Sequence, residues 1–404
     1  MTHAIEAVWR DEWGRLLALL VARFRRLDLA EDGLADAFEA ASRTWPVDGV
    51  PHNPAGWLLT AARRRILDRL RAEAVAARSL PLLAVDAEVT EEAQRVMADP
   101  AASTAEPRDE LLRLVLLCAH PSLAPEAAAA LSLRLVLGVS TADIARLFLV
   151  SAPTMAARLT RARKRLAGER FEVPVGEELA ERLDLVAEVA YLAFTAGYAP
   201  GSGPDVLRPE LAAEAIRLVR VVRPLVAPYG ELDALLALML LQHSRRDARV
   251  AGGELVLLPD QDRSRWHHDE IAEALRLLAP LATAPPAPYL LQGLIAAEHA
   301  VAPLADATDW PRISSLYAEL EQVLPSPVVR LNRAVAVAEA QGPQAGLDLL
   351  AGLDLPGHRL PAVRAELLLR AGRPAEAAAA FDEAIARCDN EAELAHLRAR
   401  RPTA

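Results

Sequence analysis

The chain has 404 residues, which is too long for one core of ordinary size and favours two or three domains. Aromatic residues make up 4% of the sequence, and helical Ala/Leu periodicity replaces alternating β-branched runs, so we expect an all-α fold. Cys118 and Cys388 lie far apart without a ligand motif, which predicts neither disulfides nor a zinc site. The lack of an apolar run of about 20 residues favours a cytoplasmic protein without a membrane span.

The net charge of −10 is distributed unevenly along the chain. Residues 1–170 contain 23 Lys and Arg against 22 Asp and Glu, whereas residues 171–404 contain 22 against 33. The basic residues of the first part are grouped at 63–71 and at 158–165. Two basic clusters in a less acidic half predict two contacts with nucleic acid.

Taken in chain order, residues 10–45 have helical periodicity that is broken near residues 27–29, and 45–54 is a turn-rich segment. The spacing of apolar residues then predicts a helix over 54–77 with arginines on a separate stripe. This stripe is either a solvated face or a surface that binds something acidic, and its like charges favour binding. Residues 79–108 become Ala-rich, acidic and poorly periodic, which is typical of a linker.

Residues 140–166 have the pattern of a helix-turn-helix. Ser140 followed by Asp143 predicts a helix cap, and Ser151 with Pro153 predicts the start of the second helix. An apolar stripe recurs along that second helix at Met155, Leu159, Ala162 and Leu166. The stripe predicts that one face of the second helix packs against the rest of the domain, which leaves its basic face for DNA. A helical hairpin inside a larger bundle is the alternative interpretation.

The acidic second half is predicted to be helical throughout. Helices are expected at 179–198, 209–222, 232–244 and 270–281, with a polar insert at 252–266. Helical pairs around Gly342 and Gly372 repeat with an offset of 30 residues, close to the repeat of about 34 residues in tetratricopeptide proteins. The C-terminal part is therefore predicted to contain repeats of tetratricopeptide type.

The first 170 positions resemble a bacterial RNA polymerase sigma factor of the extracytoplasmic-function type. The resemblance rests on three strings: residues 28–38, residues 53–71, and the helix-turn-helix with its Arg158-Leu-Thr-Arg-Ala-Arg163 run. They are similar to the segments of the family that bind core polymerase, the minus-ten element and the minus-thirty-five element. The whole chain resembles the subgroup with a fused C-terminal extension, through residues 191–198, 260–266 and 331–337.

The resemblance implies five segments and three sets of contact residues. The segments are sigma region 2 at 1–78, a linker at 79–108, sigma region 4 at 109–170, a helical extension at 171–286 and tetratricopeptide-like repeats at 287–404. The expected DNA-binding residues are Trp57, Arg63, Arg64, Arg65, Asp68, Arg69, Arg71, Ser151, Ala152, Pro153, Thr154, Ala156, Ala157, Arg158, Arg161, Arg163 and Lys164. The expected polymerase-binding residues are Asp28, Glu31, Asp32, Asp36 and Phe38, and the candidate regulatory contact comprises Asp260, Asp262, Arg263, Arg265 and Trp266.

Several positions depart from the family pattern. Ala35 and Asp36 stand where Gln and Glu are usual, Arg64 stands at a usual Asn, and Leu149 replaces the usual turn glycine. Because a non-glycine residue disfavours positive φ, either the turn is wider or Leu149 is strained.

A sigma factor performs no covalent chemistry, so we expect no catalytic residues, no metal and no cofactor. The local cluster His267-His268-Asp269 is interpreted as a solvated helix start rather than a ligand pair. The 260–266 insert is either a capped loop packed internally by Trp266 or a regulatory contact to the sigma half. The C-terminal extension as a whole is a candidate site for a signal or regulator protein. The expected partners are core polymerase and promoter DNA.

Two other classes of function are compatible with parts of the sequence. A one-component regulator would bind an operator through the helix-turn-helix and a ligand or protein through its helical half. A pure repeat scaffold would leave both basic clusters unexplained. The first 75 residues distinguish a sigma factor from these two classes, because an ordinary regulator needs neither the 28–38 segment nor the arginine helix.

Overall fold

The computed structural model describes residues 2–77, 105–148, 150–166, 169, 171–198, 209–226, 228–251, 254–388 and 390–402. In these ranges the chain is α-helical apart from one short hairpin and several 3-10 turns, which confirms the all-α prediction. Most of the predicted 79–108 linker and the turn residue Leu149 lie outside the described residues. The chain divides into two compact units, Met1–Leu192 with Arg220–Ala227, and Ala193–Val219 with Pro228–Ala404.

Before residue 170, the predicted helix at 54–77 and the two helices of the helix-turn-helix are present, and the first helix begins at Thr2 rather than near residue 10. The helices of this part are α1 Thr2–Phe24, α2 Leu27–Asp48, α3 Pro54–Ala77, α4 Ala105–Cys118, α5 Pro125–Leu135, α6 Thr141–Leu147 and α7 Ala152–Leu166. The chain reverses between α1 and α2 at Arg25, where φ is +53°. The prediction of a loop from residue 45 was wrong, because α2 continues through Pro46 to Asp48. Trp45 is buried and anchors this last turn, and the Gly49 N–H closes it by donating to the Trp45 carbonyl.

The remaining helices and strands are α8 Glu177–Tyr198, α9 Pro209–Val222, α10 Gly230–His243, β1 Val250–Ala251, β2 Glu254–Leu255, α11 His268–Leu278, α12 Pro288–Val301, α13 Trp310–Val323, α14 Pro327–Gln341, α15 Pro343–Leu349, α16 Arg359–Arg370, α17 Pro374–Ala386 and α18 Glu391–Arg400. The strands pair antiparallel, with Val250 opposite Leu255. Helix α10 is apolar on all sides and is buried between α11 and α12.

The C-terminal helices pack as successive antiparallel pairs. Helices α14 and α15 turn at Gly342, where φ is +102°, and α16 and α17 turn next to Gly372, where φ is +72°. One apolar cluster joins α14 to α16 and includes Leu350, and a second one, in which Phe381 is fully enclosed, lies between α16 and α17. The paired helices are in the predicted places, and their assignment to the tetratricopeptide type stays a prediction.

In the first unit, α1 contacts α2 and α3 on one side and α4 and α5 on another. Two glycines allow this close packing. A Cβ atom on Gly14 would lie 2.2 Å from the Val136 carbonyl oxygen, and one on Gly138 would lie 2.7 Å from Trp9 Nε1. The Gly138 carbonyl accepts a hydrogen bond of 3.0 Å from the same Trp9 Nε1. The segment after α5 is therefore in direct van der Waals contact with the first helix of the chain.

Gly138 is predicted to be intolerant of a side chain. Gly138→Ala combines a positive φ of +70° with overlap against Trp9 and Trp13, so we expect a loss of about 3 kcal/mol in the free energy of unfolding. Gly176→Ala is the matched control, because Gly176 has a φ of +64° and nothing within 4 Å, and it should cost only about 1 kcal/mol. Urea unfolding followed by circular dichroism compares the two. Equal losses would show that the tryptophan contact does not restrict Gly138.

Candidate nucleic-acid and polymerase interfaces

The helix-turn-helix forms as its sequence predicted. The Ser140 hydroxyl accepts a 3.0 Å hydrogen bond from the Asp143 N–H and donates to the Asp143 carboxylate at 2.7 Å, which caps α6. The Ser151 hydroxyl accepts from the Thr154 N–H at the start of α7. The predicted apolar stripe along α7, which comprises Met155, Leu159, Ala162 and Leu166, is buried. Burial of this stripe fixes which face of α7 is left for a ligand.

The expected DNA-binding residues of this motif lie on that outer face, apart from Arg163. The exposed members are Ser151, Ala152, Pro153, Thr154, Ala156, Ala157, Arg161 and Lys164, and Arg158 is half-buried. A groove of about 440 Å³ separates α7 from the start of α5 and is lined by Arg158, Arg161 and Arg165. These guanidinium groups form a positive surface, interrupted by the carboxylate of Glu126. A positive surface of this kind can bind phosphate groups.

Arg163 occupies a different environment from the other arginines of α7. Its Nη2 donates a 2.6 Å hydrogen bond to Oε2 of Glu31, and Arg134 Nε donates a 2.6 Å hydrogen bond to Oε1 of the same carboxylate. The Glu31 side chain is only 8% exposed. We call these three residues the Glu31 cluster. It joins an expected polymerase-binding residue on α2 to an expected DNA-binding residue on α7.

The arginines of α3 also divide into two groups. Arg64 and Arg65 are exposed, and Arg71 is exposed while it donates to the Asp68 carboxylate at 3.2 Å. Arg63, by contrast, is buried. Arg64, Arg65 and Arg71 are therefore the arginines of the expected minus-ten surface that are most accessible to a ligand in this structure.

Arg69 on α3 forms hydrogen bonds with two carboxylates of α2. It donates to Asp32 at 2.7 Å and to Asp36 at 2.9 Å, and the hydrogen bond to Asp32 raises the pKa of the Arg69 guanidinium. Two of the expected polymerase-binding carboxylates therefore share one arginine with the expected DNA-binding set. Asp28 is paired with Arg26, whose hydrogen bond lowers the pKa of the Asp28 carboxyl group.

Phe38 of the expected polymerase-binding set and Trp57 of the expected DNA-binding set both pack against other aromatic side chains. Phe38 is buried, and its ring centre lies 4.6 Å from that of Trp9. Trp57 is half-buried and meets the ring of Trp45 edge-on at 5.6 Å. The sequence interpretation allowed Phe38 to be an anchor or a core residue, and it packs here as a core residue.

The polar insert is held within its own unit. Arg263 Nη1 donates to the carbonyl oxygens of His299, at 2.6 Å, and Ala302, at 2.9 Å, at the end of α12. Its guanidinium carbon lies 4.4 Å from the ring centre of Trp266, which is buried. Asp262 caps the short turn by accepting from the Ser264 N–H. Only Asp260, Asp262 and Arg265 of the expected regulatory set are exposed.

Two clusters of potential metal ligands have surroundings that the sequence did not predict. His267 is not a simple solvated residue, because its Nε2 lies 2.8 Å from Asp247 Oδ2 and its Nδ1 lies 3.1 Å from Arg246 Nη2. Elsewhere, ligand atoms of His358, Cys388 and Glu393 lie within 4.8 Å of one another. No motif spacing marks this second group, so it was not predicted from sequence.

The second group has hydrogen bonds of its own. His358 Nε2 lies 2.7 Å from a Glu393 carboxylate oxygen, and Cys388 Sγ donates to the Asn390 carbonyl. The first contact accounts for the proximity of His358 and Glu393.

Comparison with known proteins agrees with the geometry of the first unit. Residues 10–75 match sigma-70 region 2, and residues 113–166 match sigma-70 region 4. The chain belongs to the sigma-70 family. Region 2 thus covers most of α1 to α3, and region 4 covers the end of α4 together with α5 to α7. As a sigma factor, the protein acts in transcription initiation, and its two sigma regions imply binding to core RNA polymerase and promoter DNA.

The extension of this sigma factor is shared with a relative. Residues 182–282 match a family of unknown function, DUF6596. The chain is 41% identical over 395 residues to an uncharacterized protein of Rhizobium meliloti (strain 1021), an alignment that covers 95% of this chain and 91% of the relative. No solved structure matches the chain. Among the described helices, none combines the length and apolar character needed to cross a membrane.

The packing of the insert predicts a pH dependence of stability. Burial lowers the pKa of His299 to about 4, and the positive charges of Arg245 and Arg263 add to this effect. Between pH 6.5 and 4 the unfolded chain therefore binds a proton that the folded protein does not, so stability falls as pH falls, by up to about 3 kcal/mol.

His299→Phe should remove this contribution while keeping a ring against Trp310, whose centre is 5.2 Å away. Thermal unfolding at pH 7 and pH 4.5 measures the effect, and the variant should lose about 2 kcal/mol less than the original protein over this interval. If both proteins lose the same stability, His299 is not the residue that titrates.

Proposed function

We propose that this sigma factor is of the extracytoplasmic-function type, and that α7 contacts the minus-thirty-five element while α3 contacts the minus-ten element. The observation that carries the assignment of α7 is its division into a buried apolar stripe and an exposed face of small and basic residues. Small residues at 152, 153, 156 and 157 allow close approach to base edges, and Arg161 and Lys164 reach phosphate.

For α3, the support is the exposure of Arg64, Arg65 and Arg71 on one helix. Guanidinium groups pair with phosphate in a bidentate manner and stack on unpaired bases, both of which suit DNA strands that are separating. The proposed polymerase surface is the acidic side of α2, where Asp28 and Asp32 are exposed and Asp36 is half-buried. Acidic residues there would steer α2 toward a basic partner.

We further propose that the extension after residue 170 regulates the two sigma regions, and that the protein works with core polymerase in the cytoplasm without enzymatic activity of its own. Asp260, Asp262 and Arg265 are the exposed insert residues that remain candidates for a regulatory contact. The one-component regulator is not favoured, because it gives no role to the region 2 match at residues 10–75.

Run-off transcription with purified bacterial core polymerase tests the proposal. The full-length protein should produce a transcript from its promoter that core polymerase alone does not produce. Arg64→Ala combined with Arg65→Ala should reduce that transcript and the permanganate reactivity of thymines near the start site about tenfold, because phosphate and base contacts are lost during melting.

The matched control is Arg43→Ala, since Arg43 is exposed on α2 and pairs only locally with Glu39 among the described contacts. It should leave both signals unchanged. Unchanged permanganate reactivity in the α3 double variant would contradict the proposed role of α3, and a complete lack of promoter-dependent transcript would contradict the proposed promoter assignment.

A further inference from the structure

Three side chains with metal-binding atoms converge among the last helices of the chain. A ring nitrogen of His358, Sγ of Cys388 and a carboxylate oxygen of Glu393 all lie within 4.8 Å of one another. They come from three separate segments, because His358 directly precedes α16, Cys388 follows α17, and Glu393 lies in the first turn of α18. No other group of three such ligands converges this closely in the part of the chain that the structure describes.

A hydrogen bond explains the proximity of only two of these groups. Nε2 of His358 lies 2.7 Å from a carboxylate oxygen of Glu393. The Cys388 thiol donates to the Asn390 carbonyl at 3.5 Å, and a thiol is a weak donor. A histidine–glutamate pair does not require a thiol beside it, whereas a transition-metal site uses all three groups as ligands.

The separations of the ligand atoms are close to those of a zinc site. Zinc is bound tetrahedrally, at about 2.0–2.1 Å from nitrogen or oxygen and about 2.3 Å from sulfur, which puts neighbouring ligand atoms about 3.3–3.6 Å apart. The separation of 2.7 Å between His358 and Glu393 is shorter than this, and no separation in the group exceeds 4.8 Å. Side-chain shifts of about 1 Å would therefore give a site with three protein ligands.

The backbone around the three ligands is well fixed. The Oδ1 atom of the buried Asn390 accepts a 3.0 Å hydrogen bond from the Glu393 N–H, which caps α18 two residues after Cys388. The His358 carbonyl accepts the first hydrogen bond of α16, and Cys388 borders the apolar cluster between α16 and α17. Because helix ends position all three ligands, binding an ion orders little additional chain.

The types of ligand select the class of ion. Thiolate and imidazole bind zinc and related transition metals, whereas magnesium and calcium prefer sites made of oxygen atoms. One thiolate and one carboxylate neutralise both charges of a divalent ion, so a largely buried site would carry no net charge. The thiol proton of Cys388 would be released to solvent, and the fourth position would be left to water or another ligand.

We propose that His358, Cys388 and Glu393 bind one transition-metal ion of the zinc class, and that this ion fixes the start of α18 against α16 and α17. The sequence predicts no metal because no two of these ligands have the spacing of a zinc motif. The three ligands are brought together only by the packing of three helices.

An ion at this position would also restrain the polar insert. Helix α18 contacts β2, which lies within the insert. Towards the end of α18, Arg400 donates to Glu366 of α16 at 2.9 Å, and this hydrogen bond raises the pKa of the Arg400 guanidinium, to which the negative charge of Asp260 in the insert adds. Fixing the first turn of α18 should therefore reduce the motions of the insert. Any effect on transcription rests on the proposed function, in which the insert is regulatory.

Cobalt(II) spectroscopy on the reduced, tag-free full-length protein tests the site. Cobalt(II) substitutes for zinc in tetrahedral sites, and it gives a thiolate charge-transfer band in the near ultraviolet only when a cysteine binds it. We expect this band to saturate at one equivalent of cobalt and to disappear when zinc is added. Cys388→Ser should abolish the band, and Glu393→Gln should weaken cobalt binding at least about tenfold.

Two matched controls should leave the cobalt spectrum unchanged. Cys118→Ala removes the other cysteine of the chain, and Glu391→Gln changes an exposed carboxylate in the same turn of α18 as Glu393. Glu393→Gln also provides a second route if circular dichroism shows that Cys388→Ser is unfolded. The absence of a thiolate band in the unmodified protein would overturn the proposal, as would a band that persists in folded Cys388→Ser or cobalt binding that Glu393→Gln leaves unchanged.

Hydrogen exchange of the same protein tests the effect on the insert. Zinc should slow exchange in α18 and in residues 254–266 of the unmodified protein, and it should not do so in Cys388→Ser. Unchanged exchange at 254–266 with zinc bound would contradict the link between the metal site and the insert. Neither measurement depends on transcription, so a negative result would leave the proposed function intact, and a missing run-off transcript would leave the metal site intact.

Discussion

The buried carboxylate of Glu31 sets the main constraint on the sigma half of this protein. A carboxylate loses several kcal/mol of hydration when it is buried, and two guanidinium groups from region 4 compensate for that loss here. Removing either arginine would leave a charge that water reaches poorly. Gly138 and Gly14 let the surrounding backbone approach closely enough for this pairing to form. Regions 2 and 4 therefore behave as one packed unit, although each matches a separate family.

Local features of the fold were predictable from sequence. The bounds of α3, the cap at Ser140 and the buried stripe of α7 all follow from patterns within about twenty residues. Helical periodicity reports which face of a helix is apolar, and a cap depends on residues three apart, so both are readable without knowledge of the rest of the chain. The pairs around Gly342 and Gly372 were found for the same reason. Pro46 is an exception, because a buried Trp45 extends α2 past a residue that usually ends a helix.

What the sequence did not predict is which surfaces meet. Arg163 looked equivalent to Arg161, yet one pairs with Glu31 and the other is exposed. Arg69 looked like a phosphate ligand and binds two carboxylates of α2 instead. A charged residue gives the same signal whether its partner is DNA or another helix of the same chain. Only the three-dimensional packing distinguishes these cases, and it also explains why Arg263 and Trp266 hold the insert rather than project from it.

The most direct measurement of the central claim is a double-mutant cycle between Glu31 and Arg134. Glu31→Gln, Arg134→Met and the double variant would be unfolded in urea with tryptophan fluorescence, which reports mainly on the first unit because four of the six tryptophans lie in α1 to α3. If the buried pair holds the regions together, the free energies of unfolding should show a coupling of about 1.5 kcal/mol or more. Additivity to within about 0.5 kcal/mol would contradict the account.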